Sequence, residues 1–377
     1  MSDIKTKPAR LASLDALRGF DMLWIIGGET VVHNLAKATD NGLVHSVSNQ
    51  MTHVNWVGFH FYDLIMPLFT FMVGMSIPFS TDKRLASGES KNRIYAHAFK
   101  RSLILFVLGM ICQCNLLAFN INNLFIIHDT LQSIAIGYFF SILIYTRLNM
   151  KQQLYLTGSL VFLYWVILTF IPVPGQAAGV LEPQSNIAKY VEQLVFGRFD
   201  DAPSPYTWFL GSLGFVATVM SGIFASNVIR GNYRFSFLKL SDLQIHKTIF
   251  LALIGIALVA VSLLLAIKYP VIKPIWNPTF ILLTSGLSFL LMSLFYFIID
   301  VKGYQRWAFW LKVIGMNSIA VYMGTHFIYF EGIAQNIIFG LEQFTGTYYP
   351  AIKSISALAL IYGVLYWMYK KGTFVKI

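Results

Sequence analysis

Thr248-Ile-Phe-Leu-Ala-Leu-Ile-Gly-Ile-Ala-Leu-Val-Ala-Val-Ser-Leu-Leu-Leu-Ala-Ile267 is an uncharged apolar run bounded by Lys247 and Lys268. As a helix, these roughly 20 residues rise about 30 Å, the thickness of a bilayer's hydrocarbon core. Comparable runs occur at 14–33, 59–80, 99–118, 124–145, 153–171, 206–229, 279–299, 311–330 and 355–371. The stretch 333–344 is too short and mixed to cross and reads as a surface helix or loop. The expectation is an all-α, polytopic membrane protein with about ten transmembrane helices in one bundle, residues 1–377 forming a single domain.

Composition supports that reading. The 377 residues are 56% hydrophobic and only 12% charged, and the mean hydropathy is +0.62. A soluble domain carries roughly 25% charged residues. A water-soluble globule of this composition would expose apolar surface on nearly every face.

The net charge of +11 has a use other than nucleic-acid binding. The segments through Arg18, 81–101, 146–152, 230–247, 300–312 and 370–377 hold 22 of the 28 Lys and Arg residues. The alternate loops hold the other 6, namely Lys37, Lys189, Arg198, Lys268, Lys273 and Lys353. Cationic loops are retained in the cytoplasm, so both termini are expected there. The first apolar run is long and interrupted by Arg18 and Asp21, so it reads as a retained helix and not a cleaved signal. The Pro-rich segment 172–205 becomes an external loop or lid.

Cys112 and Cys114 lie in an apolar stretch with no second pair, which gives two buried thiols and no disulfide framework. No HExxH-type metal-ligand cluster, Gly-rich phosphate loop or Ser nucleophile elbow occurs, and no metal is expected. No repeat with a period of 20–50 residues is visible.

Ionisable residues inside crossings cost roughly 2.5–3.5 kcal/mol each on insertion scales, so those present call for a reason. Glu29, His33, His60, Asp63, His128, Asp129 and His326 all fall near the external ends of their runs and are expected to share an outward-opening polar cavity. At the cytoplasmic end, Asp15, Arg18 and Asp21 recur every three residues. They form either an internal salt bridge or a site for an anionic ligand.

The segment His53-Val-Asn-Trp-Val-Gly-Phe-His-Phe-Tyr-Asp63 places an imidazole just outside the membrane and a carboxylate one turn inside the next helix. A neutral imidazole can take a proton from an amine or hydroxyl, or carry an acyl group itself, and a carboxylate can orient it. That is acyl-transfer chemistry. A proton-coupled secondary transporter or flippase for a sugar-containing solute is the alternative use of the same groups.

Six stretches carry a family likeness. They are Ser13-Leu-Asp-Ala-Leu-Arg-Gly-Phe-Asp21; His53, Trp56, Gly58, Asp63, Pro67, Phe71, Gly74 and Ser76; Thr130-Leu-Gln-Ser-Ile-Ala-Ile-Gly-Tyr138; Thr207 to Gly222; Lys273-Pro-Ile-Trp-Asn-Pro-Thr-Phe280; and Ile314-Gly-Met-Asn-Ser-Ile-Ala-Val-Tyr322. Together they resemble the catalytic domain of the heparan-alpha-glucosaminide N-acetyltransferase family and its bacterial relatives. Ser133 stands where relatives commonly have Arg, and Asp201-Ala-Pro203 replaces their Asp-Pro-Glu-Gly. Asn41 and Asn49 are the candidates for an asparagine that relatives place ahead of the histidine.

The resemblance implies a transmembrane acetyltransferase that moves acetyl from cytoplasmic acetyl-CoA to an amino sugar or other saccharide on the external side. It assigns His53 to the essential histidine position and Asp63 to its acidic partner. Arg18, near the donor phosphates, and His128, Asp129 and Asn317 are the further donor-binding candidates. Acetyl-CoA, a glycan acceptor and membrane lipids are the expected partners, with homodimerisation by resemblance alone. The expected location is a bacterial inner membrane, and the lysosomal location of the family's human member is not expected to transfer, since its luminal amino-terminal portion and first helix have no counterpart here.

Overall fold

A computed structural model describes residues 11–201, 203–231 and 242–375. Among these residues every regular element is a helix, and an isolated antiparallel bridge pairs Val57 with Ile272. In chain order the helices are α1 (Ala12–Leu23), α2 (Glu29–Ala38), α3 (Gly42–Gln50), α4 (Ile65–Ala86), α5 (Lys91–Gln113), α6 (Thr130–Arg147), α7 (Met150–Phe170) and α8 (Ile187–Phe196). They continue as α9 (Gly211–Arg230), α10 (Leu243–Ala266), α11 (Pro278–Phe295), α12 (Phe309–Gly315), α13 (Ser318–Phe327), α14 (Phe330–Ile338), α15 (Glu342–Thr345) and α16 (Tyr349–Lys370).

Seven helical stretches are long and apolar enough to cross a membrane: Phe61–Ala86, Lys91–Gln113, Met150–Phe170, Gly211–Arg230, Leu243–Ala266, Pro278–Val301 and Phe330–Lys370. The chain is a membrane protein. The other three expected runs are helical but interrupted or shorter. Run 14–33 is broken between α1 and α2 by a π-turn, Trp24–Gly28, in which Gly27 has φ +130°, a conformation that favours glycine. Run 311–330 breaks between α12 and α13 at Met316 and Asn317. Run 124–145 becomes helical only at Thr130, where Asp129 caps α6, and the 18 residues of that helix include Gln132 and Arg147.

The described residues divide into two compact units. The first contains residues 11–38, 242–249 and 290–375, and the second contains 39–201, 203–231 and 250–289. In the first unit α1 lies against α12 with backbone touching backbone. A Cβ on Gly19 would stand 1.7 Å from Leu311 O, and one on Gly315 would stand 2.1 Å from Asp15 O. Ser13 N donates to Asp300 Oδ2 at 3.1 Å, and Asn34 Nδ2 donates to Ser354 Oγ at 2.9 Å, joining α2 to α16.

In the second unit α4 crosses α9 in the same manner. A Cβ on Gly74 would meet Val219 O at 1.9 Å, and one on Gly222 would meet Phe71 O at 1.9 Å. In lipid, where apolar surface gains little by leaving its solvent, such small-residue crossings let dispersion hold helices together. Side-chain oxygens cap the helix starts, with Ser90 on α5, Asp129 on α6, Asn149 on α7 and Asn186 on α8. Pro67 lies in the first turn of α4, where its missing N–H leaves no bond unmade. A cluster of Tyr164, Trp208, Phe215, Ile272, Trp276 and Phe280 fills the end of this unit that carries the His53 loop.

Candidate active site

Two loops of the second unit build the site. The first runs from His53 to His60 and leads into a 3-10 turn, Phe61–Leu64, ahead of α4. The second connects α10 to α11. Gly58 N donates to Val271 O at 3.0 Å, and the Val57–Ile272 bridge zips the loops together. Gly58 has φ +125°, which a β-carbon would strain. Trp56 Nε1 donates to Leu181 O at 2.8 Å and ties the first loop to the 172–205 segment.

The second loop is shaped by the motif that ends at Phe280. Asn277 Oδ1 accepts from Phe280 N at 3.1 Å, capping α11, and from Ile272 N at 3.2 Å, which folds the loop back. Pro278 opens the helix, and Trp276, at φ +47°, reaches Thr218 Oγ1 with its indole N–H at 3.3 Å. Tyr164 hydroxyl donates to Ile275 O, and Thr207 N donates to Pro274 O at 3.0 Å. With its backbone pinned on both sides, Lys273 is directed toward the first loop.

The result is a compact triad. His53 Nδ1 lies 2.8 Å from Asp63 Oδ1, and Lys273 Nζ lies 3.1 Å from the same oxygen and 2.9 Å from His53 Nδ1. Asp63 Oδ2 accepts from His60 N at 3.0 Å and Val54 N at 3.4 Å. The carboxylate is therefore held by four donors, and its side chain is 1% exposed. Lys273 is buried as well, whereas the His53 side chain is 45% exposed, with Tyr62 beside the ring. Burial pulls the Lys273 ammonium down to about 8 from its ordinary 10.5, against the opposing pull of Asp63.

The triad's chemistry follows from which atoms are engaged. Asp63 Oδ1 engages Nδ1, and Nε2, with Lys273 Nζ 3.5 Å away, is the ring nitrogen left for a reacting group. An imidazole oriented from one side by a buried carboxylate can act as general base or nucleophile.

Of the expected site residues, His53 and Asp63 are brought together. His60 joins them through its backbone, and its ring faces Thr52. His128 lies between the Phe125 and Trp208 rings, with Nδ1 3.5 Å from Asp201 Oδ2. Asp129 is a helix cap, accepting from Leu131 N at 2.6 Å, and Gln132 Oε1 closes the capping box by accepting from Asp129 N at 3.0 Å. Ser133 donates to Thr130 O at 2.7 Å.

Arg18 and Asn317 belong to the first unit. Arg18 pairs with Asp15 at 3.3 Å, the salt bridge that the three-residue spacing suggests. Asn317 exchanges bonds with Thr373 O and Val375 N and so anchors the segment after α16. Glu29, His33 and His326 also lie in the first unit; His326 Nδ1 is 2.8 Å from Tyr322 O on its own helix. Asn41 caps α3, accepting from Leu43 N at 2.9 Å, and Asn49 lies near the end of the same helix.

Lys273 was not among the expected site residues. Its only sequence signals were its place at the head of the stretch Lys273–Phe280 and among the six cations of the cation-poor loops.

A model of the family described as heparan-alpha-glucosaminide N-acetyltransferase, catalytic, matches residues 10–265. The chain belongs to that family. Two relatives carry the name heparan-alpha-glucosaminide N-acetyltransferase. The human protein is 24% identical over 376 residues, covering 84% of this chain and 53% of its own length. The mouse protein is 25% identical over 381 residues, covering 86% of this chain and 56% of its own. The chain thus spans about half the length of these curated relatives. The family match includes His53 and Asp63 and stops short of Lys273.

Proposed function

We propose that the protein is a transmembrane acetyltransferase that carries acetyl from acetyl-CoA, entering at the cytoplasmic side, to the amine or hydroxyl of an amino sugar or other saccharide on the external side. The observation that supports it is the His53–Asp63–Lys273 triad, an oriented and half-exposed imidazole in a chain of this family. His53 Nε2 takes the proton of the acceptor as its nitrogen or oxygen attacks the thioester carbonyl. The C–S bond then breaks, and the CoA thiolate recovers the proton. In the alternative route Nε2 itself attacks the thioester carbonyl, the C–S bond breaks and CoA leaves as the thiol with the ring's proton, and the acceptor then takes the acetyl group from the ring and returns its proton to it. Asp63 orients the ring in both routes.

The ten-span arrangement completes this reading. α1 with α2, α6, and α12 with α13 are taken as crossings in addition to the seven long apolar stretches, so the whole chain acts as one membrane-embedded catalytic domain. Both termini are then cytoplasmic, in a bacterial inner membrane, and His53 faces outward. Arg18 is assigned to the donor phosphates and His128 to the cavity wall. Asp129 and Asn317, which are occupied with backbone, position the segments around them.

The test is transfer from radiolabelled acetyl-CoA to a panel of amino sugars by purified protein. His53→Ala is expected to lose about 10²–10⁴-fold in rate, the usual worth of a positioned base. Full activity in that variant would eliminate the assigned role. Thermal stabilisation by acetyl-CoA separates this reading from a proton-coupled transporter, which has no reason to bind CoA. For orientation, a cysteine placed at Ser2, outside the described residues, should resist a membrane-impermeant thiol reagent in intact cells.

A further inference from the structure

Next to the triad, the chain between the 172–205 segment and α9 is pinned by its backbone. Tyr206 N donates to Ser204 Oγ at 3.3 Å, Thr207 N to Pro274 O at 3.0 Å and Phe209 N to Glu192 Oε2 at 2.8 Å. The Thr207–Pro274 bond sets Tyr206 and Lys273, each next in sequence to one of its ends, on neighbouring stretches of backbone. The Tyr206 hydroxyl also lies within electrostatic reach of the Asp63 carboxylate. All these residues belong to the second unit.

Two rings stand here, and they differ in exposure. Tyr206 and Trp208 are stacked, with centroids 6.3 Å apart and planes inclined by 26°. Trp208 is 8% exposed and packs on Phe215, which packs on Trp276, so its ring belongs to the buried cluster. Tyr206 lies at the edge of that cluster and is only half-buried. Trp208 thus backs the Tyr206 ring, and no second ring covers it among the described residues.

The tyrosine hydroxyls of this region are used unequally. A buried phenol usually finds a partner, and the Tyr164 hydroxyl in the cluster donates to Ile275 O. The Tyr206 hydroxyl is bonded to no described residue. A ring fixed by its backbone and by a stacked neighbour loses little freedom when a ligand lands on it, so it offers contact area at a low entropic cost. A pyranose has a face of C–H bonds and a rim of hydroxyls, which matches a flat ring with a hydroxyl at its edge. An open-chain amine has no such face.

We propose that Tyr206 is a specificity-determining residue that selects cyclic saccharide acceptors, one face of the pyranose resting on the phenol ring. The phenol hydroxyl donates to a sugar substituent. Such recognition rests on the saccharide acceptor class proposed above and ties it to one side chain.

The experiment compares two acceptors with acetyl-CoA and the full chain in detergent: methyl β-glucosaminide, whose ring is locked, and glucosaminitol, an open-chain amine bearing hydroxyls. The readout is the ratio of their kcat/KM values. The wild type is expected to favour the locked ring about tenfold or more. Tyr206→Leu and Tyr206→Gln both remove the aromatic ring and should cut that preference about tenfold, and either suffices if the other fails to fold. Tyr206→Phe keeps the ring and should keep the preference, because a bond from the hydroxyl serves either acceptor. A merely structural role would lower both rates together and leave their ratio alone. Equal use of the two acceptors by the wild type, a preference unchanged in the ring-less variants, or its complete loss in Tyr206→Phe overturns the proposal. Transfer to neither acceptor by the wild type counts against the acetyltransferase reading instead, and recognition is then read from thermal unfolding without donor. There methyl β-glucosaminide should stabilise the wild type and Tyr206→Phe more than glucosaminitol does, and the ring-less variants no more than glucosaminitol does. Absence of that contrast overturns the proposal in that case as well.

Discussion

Replacing Lys273 by Met keeps a side chain of similar length and removes its charge. In the folded protein the ammonium titrates at about 8, whereas in the unfolded chain it returns to the ordinary 10.5. At about 1.4 kcal/mol for each tenfold step, the difference amounts to about 3 kcal/mol. Because the folded value is the lower one, the unfolded chain holds more protons between about 8 and 10.5. Stability therefore rises with pH across that window. Below about 8 the buried ammonium carries its whole cost, and above 10.5 it carries none. Other lysines and tyrosines titrate in the same range, so the informative quantity is the difference between the two proteins. Unfolding in detergent at intervals from pH 7 to 10.5 should show the wild type gaining about 3 kcal/mol relative to Lys273→Met. Acetyl transfer, measured in parallel at pH 7.5, should fall about 10–10²-fold, because Asp63 and the His53 ring lose the group that holds them from one side. Parallel pH curves for the two proteins, or undiminished transfer, would refute the reasoning.

Three further outcomes follow from the geometry. Glu192 is buried and accepts from Phe209 N at 2.8 Å; burial lifts its carboxyl to about 7 from 4.5, so ionising it in the folded state costs about 3 kcal/mol. Stability should fall as pH rises from 4.5 to 7 and do so less in Glu192→Gln, a contrast visible in melting temperatures at pH 5 and pH 8. Gly222→Ala forces a β-carbon to within 1.9 Å of the Phe71 carbonyl, and the α4–α9 crossing must open at a cost of about 3 kcal/mol or more; an unchanged melting temperature would contradict that contact. Trp56→Phe removes the indole bond to Leu181 O and should cost about 1 kcal/mol by denaturant titration, with faster proteolysis of the 172–205 segment.

The sequence by itself determined that the chain is helical and membrane-embedded, because apolar length and charge placement are local quantities. The run through Thr248 and Ile267 needs no partner to declare itself, and α10 duly extends from Leu243 to Ala266. The motifs also marked the His53 and Asp63 pair, since ten residues of loop and helix start bring them near each other in any compact arrangement.

Helix interruptions were less legible. Gly27 and Asn317 are single residues inside apolar runs, and only backbone dihedrals set by packed neighbours reveal that the helix stops there. Tertiary structure alone decided the third member of the triad and the partners that His128 and Asp129 take. Lys273 reaches Asp63 across 210 residues of chain because Val57 pairs with Ile272 and Asn277 folds its loop back. His128 and Asp129, equally polar and at similar depth in the sequence, are drawn to Asp201 and to the start of α6. Depth in a membrane can be counted along a helix, but which side chains meet at that depth depends on how the helices and their loops pair in space.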